Sequence, residues 1–160
     1  MQQRLDAQKT SPAAYNAMLS LEMFIRKSSK LEPCLIELVK MRASQINGCA
    51  FCLDMHAKDA RAEGESEQRL YALPAWREAP FYTDRERAAL AWTEAITQIT
   101  QGHVSDEVYE AAKERFTDEE LVNLTWAAIA INGWNRLAIA FRFIAGEYQP
   151  AIHKVEGGKK

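Results

Sequence analysis

Apolar residues recur at helical spacing along most of the chain, and few residues interrupt them. Only 5 prolines and 7 glycines occur among the 160 residues, and the segments between them repeat apolar side chains every three or four positions, not every second one. Proline is favoured at a first helical position, which indicates helix starts at Pro12 and Pro33. We therefore predict an all-α protein.

Start and stop signals divide the chain into helices. The first is predicted from Thr10 or Ser11 to about Ser28, and the second from Pro33 to the Asn47-Gly48 break. Thr117 and Glu120 have the spacing of a capping box, which begins the last and most apolar helix. The remaining helices are predicted at about 49–62, 66–73, 83–102 and 105–116.

The segment from Leu121 to Gly146 is apolar on nearly every side. Three asparagines and two arginines interrupt it, namely Asn123, Asn132, Asn135, Arg136 and Arg142. It therefore lacks the roughly 18 uncharged apolar residues that crossing a bilayer requires, and we expect a buried helix that also contacts another subunit. Because buried polar groups need partners, Asn135 and Arg136 are expected to bond to another helix or subunit.

Length and composition predict one soluble domain over residues 1–148 and a flexible tail over 149–160. A formal net charge of -2 and a pI near 6.0 give no electrostatic reason to expect nucleic acid or an acidic membrane as a partner. The polar amino terminus lacks the apolar core of a signal peptide, so a cytoplasmic location is expected. Cytosolic cysteines are usually reduced, which makes a close pair there more typical of catalysis or metal binding than of a structural disulfide.

The stretch GCAFCLDMH, residues 48–56, holds such a pair. On a helix, Cys49, Cys52 and His56 share one face. Cys49 lies in the first turn, where free backbone N–H groups and the helix dipole favour the thiolate. His56 is one turn after Cys52 and can accept its proton. Glu37, an acid within the apolar second helix, can orient that histidine if the Asn-Gly turn brings the two helices side by side.

Two other interpretations of these residues remain. Zinc could take the two cysteines and His56, with Glu37 or Cys34 as a fourth ligand, or the cysteines could simply be buried packing residues. Cys34 itself is expected to be a free, buried thiol. Outside this cluster, helix capping is expected for His103, a place in the tail for His153, and packing at the core or a subunit contact for Trp92, Trp126 and Trp134.

A glutamate, eleven residues, Cys-x-x-Cys, three residues and a histidine describe Glu37, Cys49, Cys52 and His56. In this pattern the chain resembles the redox-active members of the alkylhydroperoxidase D-like (AhpD-like), or carboxymuconolactone decarboxylase-like, all-helical proteins. The stretch NGWNRLAIAFR, residues 132–142, also resembles the carboxy-terminal helix of peroxidase-related members. The resemblance covers most of the chain and implies an AhpD-like helical bundle that assembles into a homo-oligomer.

The resemblance also implies a thiol-dependent peroxidase. Cys52 would attack a hydroperoxide and become a sulfenic acid, and Cys49 would condense with it to form a Cys49–Cys52 disulfide. His56, backed by Glu37, would relay the proton. A dithiol such as a lipoylated protein would reduce the disulfide, the protein would form trimers or hexamers, and no metal or organic cofactor is implied.

One departure and two alternatives accompany this resemblance. The characterised peroxidase has a second histidine between its cysteines, whereas Phe51 is found here, which puts any role of that imidazole in doubt. The first alternative is a carboxymuconolactone decarboxylase, although that branch generally lacks the cysteine pair. The second is a redox-sensing or disulfide-exchange protein with little peroxidase turnover.

Overall fold

The computed structural model describes residues 2–150, and within them it contains helices and turns but no strand. The predicted all-α class is therefore confirmed. The α-helices are α1 Ala7–Thr10, α2 Pro12–Ser28, α3 Pro33–Asn47, α4 Ala50–Ala62, α5 Glu67–Ala72, α6 Asp84–Thr97, α7 Asp106–Lys113 and α8 Asp118–Phe141. Two short 3₁₀ turns, Leu73–Ala75 and Ile99–Gln101, follow α5 and α6.

Most helix starts lie where the capping residues predicted them. Thr83 and Thr117 each form a capping box with the glutamate three residues later, and these boxes begin α6 and α8. Some boundaries differ from the prediction. The helix α7 ends at Lys113 and not near residue 116, because the chain turns at residues 114–115. The helix α1 was not predicted; it begins where the side chain of Asp6 accepts a hydrogen bond from the amide of Lys9. The helix α6 ends at Thr97, because Gln98 leaves helical geometry before the 3₁₀ turn.

The central helix is α3, which packs against α4, α6 and α8. Its apolar side chains enter the core on several sides, and the buried ones are Leu35, Ile36, Leu38, Val39, Met41 and Ala43. This central position also buries two charged side chains of the same helix, Glu37 and Lys40. Since buried charges require partners, oppositely charged or hydrogen-bonding groups are expected around Glu37 and Lys40.

A tight turn at Gly48 folds α4 back along α3. Gly48 has φ +70° and ψ 34°, the left-handed conformation that a glycine adopts without a steric penalty. The preceding residue, Asn47, bonds to α8, because its side-chain amide donates to the side-chain oxygens of Asn132 (2.9 Å) and Asn135 (2.8 Å). The turn that precedes Cys49 is thus held by the conformation of Gly48 and by the bonds from Asn47 to α8.

The helix α8 is buried along one face and exposed along the other. Asn135 is fully buried and also donates to the hydroxyl of Ser44 on α3, which confirms the expected bond between helices. Arg136 is exposed and, within the described chain, bonds inside its own helix, to the backbone and side-chain oxygens of Asn132; a bond from Arg136 to another subunit stays a prediction. Over residues 2–150, the helices lack the length and apolar character that a membrane span requires.

Three other predictions can be compared with the fold. Cys34 is free, but it is only half-buried, because it lies in the first turn of α3 near the surface. Trp92 is buried as expected, whereas Trp126 is 45% exposed on the outer face of α8. Of the predicted tail over 149–160, residues 151–160, which include His153, lie outside the described part of the chain.

Candidate active site

The two cysteines lie at the start of α4. Cys49 is the N-cap residue, and its sulfur accepts a hydrogen bond from the amide of Cys52 at 3.3 Å. A disulfide joins the two residues. Both are 1% exposed and pack against Ala43, Ile131 and Ala138. Within the described residues, Cys34 is the remaining thiol; its sulfur is 3.7 Å from the carbonyl oxygen of Glu63, in a different part of the surface.

His56 lies one turn beyond Cys52 and contacts the acid of the neighbouring helix. Its Nδ1 is 2.8 Å from Oε2 of Glu37, and both side chains are buried. Because an ionised carboxylate can only accept, Nδ1 carries the hydrogen. In the neutral imidazole, Nε2 then holds the lone pair, so the ring can take up a proton there.

Glu37 is stabilised as a carboxylate despite being almost inaccessible to water. Burial raises the pKa of Glu37, but the hydrogen bond from His56 and the charges of His56, Lys40 and Arg26 outweigh burial and lower it below its ordinary value. Lys40 Nζ lies 3.9 Å and Arg26 Nη2 3.3 Å from Oε1 of Glu37. The fold therefore favours the ionised form of Glu37.

Arg26 links Glu37 to a second buried acid, Asp59. Its Nη2 is 3.4 Å from Asp59 Oδ2, and the other oxygen of Asp59 accepts a 2.7 Å hydrogen bond from the hydroxyl of Tyr148. Burial lowers the pKa of Arg26, but Glu37, Asp59 and Glu22 raise it above its ordinary value. Burial and the bond to Asp59 raise the pKa of Tyr148 to about 12, so its phenol stays protonated at neutral pH.

The charged side chains form one connected network. Lys40 is 1% exposed and donates to Oε1 of Glu22 on α2. Three acidic side chains, Glu22, Glu37 and Asp59, thus face two basic ones, Lys40 and Arg26. The network reaches formal neutrality when His56 carries a second proton, an arrangement suited to a base that accepts a proton during a reaction.

A partly open pocket of about 190 Å³ lies in front of these groups. Cys52 and His56 both line it, whereas Cys49 does not. The rest of the wall combines the charged network with apolar and aromatic side chains, namely Tyr15, Leu19, Phe51, Met55, Trp134, Ala138 and Phe143. Of the two cysteines, Cys52 is therefore the one that borders the space a small molecule can enter.

The segment after α8 forms one wall of this pocket. Phe143 packs edge-on against Phe51, with ring centroids 5.4 Å apart. The amide of Gly146 donates to Asp54 at 3.0 Å, and Lys58 donates to the carbonyl oxygen of Tyr148 at 3.0 Å. These contacts hold residues 143–148 along α4 and place the Tyr148 ring over the network.

Glu37, His56 and Asp59 also form a possible metal-binding group, since their ligand atoms lie within 4.8 Å of one another. The guanidinium of Arg26 already contacts both carboxylates of this group. Cys34, the fourth zinc ligand considered from the sequence, lines a separate surface cavity with Glu32, Thr83 and Arg85. The fold thus does not bring Cys34 to the other candidate ligands.

The fold brings Glu37, Cys49, Cys52 and His56 together, and it adds residues that sequence reasoning missed. Lys40 could have been found from the sequence, because it lies three residues after Glu37 in an apolar helix and therefore on the same face. Glu22 and Arg26 share one helix face but looked like ordinary surface charges. No residue near Tyr148 in the sequence marks it as part of a site. Trp134 was predicted to pack in the core or at a subunit contact, whereas it lines the pocket.

Comparison with known proteins shows the family and the fold of this chain. Residues 12–95 match the carboxymuconolactone decarboxylase family. YdfG of Bacillus subtilis is 44% identical over 140 residues, which cover 88% of this chain and 95% of YdfG. A solved structure from Agrobacterium tumefaciens, of unknown function and proposed to be the antioxidant defence protein AhpD, is 45% identical with a TM-score of 0.85, covering 94% of this chain and 99% of that one. A peroxidase-related protein from Silicibacter sp. TM1040 shares the fold, with a TM-score of 0.74 at 21% identity, covering 88% of this chain and 81% of that one.

Proposed function

The chain belongs to the carboxymuconolactone decarboxylase family, and on that basis we propose that it is a thiol-dependent peroxidase that reduces hydroperoxides through Cys49 and Cys52. The observation that carries the proposal is the placement of Cys52 beside a buried base. Cys52 and His56 line one pocket, His56 is bonded to Glu37, and Cys49 is within disulfide distance of Cys52. This is the set of groups that the chemistry needs.

In the first step, His56 Nε2 takes the proton of the Cys52 thiol, and Glu37 stabilises the imidazolium that forms. The thiolate then attacks the outer oxygen of the hydroperoxide. The O–O bond breaks, an S–O bond forms, and the leaving alkoxide takes the proton from His56. Cys52 is now a sulfenic acid, and the hydroperoxide has been reduced to an alcohol.

In the second step, the Cys49 thiol attacks the sulfur of the sulfenic acid. The S–O bond breaks, water leaves, and the Cys49–Cys52 disulfide forms. A dithiol, such as a lipoylated partner protein, reduces this disulfide by exchange and becomes a disulfide itself. The cycle requires no metal or organic cofactor, and we place it in the cytoplasm, where dithiol reductants are maintained.

The test is consumption of cumene hydroperoxide by the purified protein with dihydrolipoamide as reductant. Cys52→Ser should abolish turnover, because it removes the attacking sulfur. Cys49→Ser should also abolish it, but should accumulate a Cys52 sulfenic acid that dimedone traps and peptide mapping locates. Cys34→Ser is the matched control and should keep full activity, since Cys34 lies outside the pocket.

The outcomes separate the candidate functions. Full activity in Cys52→Ser would refute the assignment. A disulfide that forms once with peroxide but is not reduced catalytically by any dithiol would favour the redox-sensing or disulfide-exchange alternative. A carboxymuconolactone decarboxylase activity would be unaffected by loss of both cysteines, because decarboxylation of a lactone needs no change in sulfur oxidation state.

A further inference from the structure

One basic side chain of the pocket keeps hydrogen-bond donors that the described residues do not use. Arg26 lines the pocket together with Cys52 and His56. Within residues 2–150, its hydrogen bonds to Glu37 and Asp59 both come from Nη2. A guanidinium carries N–H groups on each of its nitrogens, and 44% of the Arg26 side chain is exposed. The donors on Nε and Nη1 are therefore available to a molecule in the pocket.

The other basic residues that line the pocket are used differently. Lys40 is 1% exposed and bonds to Glu22, so a substrate cannot reach it. His56 uses Nδ1 for Glu37 and exchanges a proton at Nε2. An arginine keeps its proton throughout the ordinary pH range. Arg26 is therefore the basic residue of this wall that combines a permanent charge with accessible donors.

Glu37 holds Arg26 beside the proposed base. Oε1 of the Glu37 carboxylate is 3.3 Å from Arg26 Nη2, and Oε2 is 2.8 Å from His56 Nδ1. The guanidinium and the imidazole are thus bound to the two oxygens of one carboxylate, and both line the pocket that Cys52 borders. Asp59 Oδ2, 3.4 Å from the same Nη2, holds the guanidinium from a second element, α4. A donor that is already held in place needs little rearrangement during a reaction.

The proposed reaction creates a negative charge that such a donor can stabilise. When the Cys52 thiolate attacks the outer oxygen of the hydroperoxide, sulfur supplies the electron pair, an S–O bond forms and the O–O bond breaks. The inner oxygen leaves as an alkoxide and takes the proton that His56 removed from Cys52. Until that proton arrives, the alkoxide is a stronger hydrogen-bond acceptor than the neutral peroxide. Donors directed at it therefore stabilise the transition state more than the bound substrate.

We propose that Arg26 is a further catalytic residue, whose unused N–H groups bind the inner oxygen of the hydroperoxide and stabilise it as it leaves. This role is separate from that of His56, which removes the thiol proton, and of Glu37, which stabilises the imidazolium. It rests on the proposed peroxidase function, because cleavage of a peroxide bond is what releases this oxygen. Reactions of Cys52 that release no alkoxide should therefore depend far less on Arg26.

The test compares two oxidants of the reduced protein in single-turnover experiments. Cumene hydroperoxide releases an alkoxide when the Cys52 thiolate attacks it. Dipyridyl disulfide is attacked by the same thiolate but releases a delocalised thiolate, and Cys49 then displaces the second pyridine thiolate. Both reactions end in the Cys49–Cys52 disulfide. They are measured in a Cys34→Ser background, so that the surface thiol does not react with the disulfide reagent.

Two variants of Arg26 and one control separate its roles. Arg26→Gln should slow the reaction with cumene hydroperoxide by about 10²-fold and the reaction with dipyridyl disulfide far less. Arg26→Lys keeps a cation between Glu37 and Asp59, which protects the fold, but lacks the forked donors, so it should show the same selective loss. Lys27→Gln is the matched control, because Lys27 is the next residue of α2, is exposed and lies outside the pocket lining. It should change neither rate.

Each outcome decides the proposal. A selective loss with the hydroperoxide in both Arg26 variants would support it. Equal slowing of the two reactions would overturn it and would limit Arg26 to holding the ion network, and unchanged rates would overturn it as well. If the parent protein reacts with dipyridyl disulfide but not with the hydroperoxide, the peroxidase function fails and the catalytic role of Arg26 fails with it. The two failures are thus distinguished by the parent protein alone.

Discussion

At the residue scale, Glu37 has the environment that most affects both stability and chemistry. It is a buried acid with two cations near one carboxylate oxygen, Oε1, and a histidine 2.8 Å from the other, Oε2. An unpaired carboxylate there would be costly, and these partners make the ionised form the stable one. The same contacts that allow α3 to hold an acid in the core also orient His56.

The lowered pKa of Glu37 predicts a pH-dependent contribution to stability. Because the folded-state pKa is below the ordinary value of 4.5, the unfolded chain binds this proton more tightly than the folded one. The stabilisation is complete above about pH 4.5, the unfolded value, and is lost as pH falls through the folded pKa. Glu37→Gln should therefore lower the free energy of unfolding by about 1–3 kcal/mol at pH 7 and by much less in acid.

Urea unfolding of both proteins between pH 3 and 7 measures this difference. Glu119→Gln, which removes an exposed carboxylate paired with Lys30, should change stability by no more than about 1 kcal/mol throughout. A destabilisation by Glu37→Gln that is equally large at both ends of the pH range would contradict the prediction.

The relay predicts that Glu37 acts through His56. His56→Gln should slow formation of the Cys49–Cys52 disulfide from reduced protein by about 10²-fold or more, and Glu37→Gln should slow it less. If Glu37 only positions and stabilises the imidazole, the double variant should be no slower than His56→Gln. Stopped-flow fluorescence with excess peroxide gives the three rates, and additive losses would show that Glu37 has a separate role.

At the element scale, the contact between α3 and α8 holds the turn at Gly48, which precedes Cys49 and α4. Asn47, the last residue of α3, donates to two asparagines of α8, and one of them, Asn135, donates to Ser44. These polar side chains are satisfied by each other in the buried space between the helices. Such a network fixes the register of the two helices more narrowly than apolar contacts alone.

Neighbouring substitutions in α8 test this network. Asn135→Ala should destabilise the protein by about 2–3 kcal/mol, because it leaves Ser44 without its bond and Asn47 with one acceptor instead of two. Arg136→Ala, at the next position but exposed, should change stability by no more than about 0.5 kcal/mol. Midpoints of urea unfolding at equal slope measure both, and similar losses would rule out a special role for the buried amides.

At the scale of the whole molecule, the outer face of α8 predicts assembly. Val122, Trp126 and Ile129 are spaced four and three residues apart and remain 56%, 45% and 44% exposed. This spacing puts them on one face, and apolar side chains grouped in this way are typical of protein contacts. The homo-oligomer expected from the sequence remains a prediction, with this face as its proposed contact.

Sedimentation equilibrium tests the assembly. The wild-type protein should sediment as a trimer or hexamer, and Trp126→Glu should dissociate it, because a charge would be buried at the contact. Tyr71→Glu is the control, since Tyr71 is 74% exposed on α5, away from α8. A wild-type protein that sediments as a monomer at all concentrations would refute the prediction.

The sequence by itself determined the features that depend on neighbours along the chain. Helical periodicity, the proline at the start of α2 and the caps at Thr83 and Thr117 predicted most of the helices, because capping and amphipathicity act over three to four residues. The spacing of Cys49, Cys52 and His56 predicted one stripe on α4 for the same reason. Glu37 could be added because an acid in an apolar helix demands a partner, and because it completes the pattern shared with the AhpD-like proteins.

The tertiary structure decided which distant residues meet at the site. Arg26 reaches Glu37 across 11 positions and Asp59 across 33, and Tyr148 reaches Asp59 across 89. No local rule relates such positions, because their proximity results from how α2, α3, α4 and the segment after α8 pack together. The proposed pairing of Glu37 with His56 could be predicted from the chain, whereas the ion network and the aromatic side chains of the pocket come together only when packing excludes water from around them.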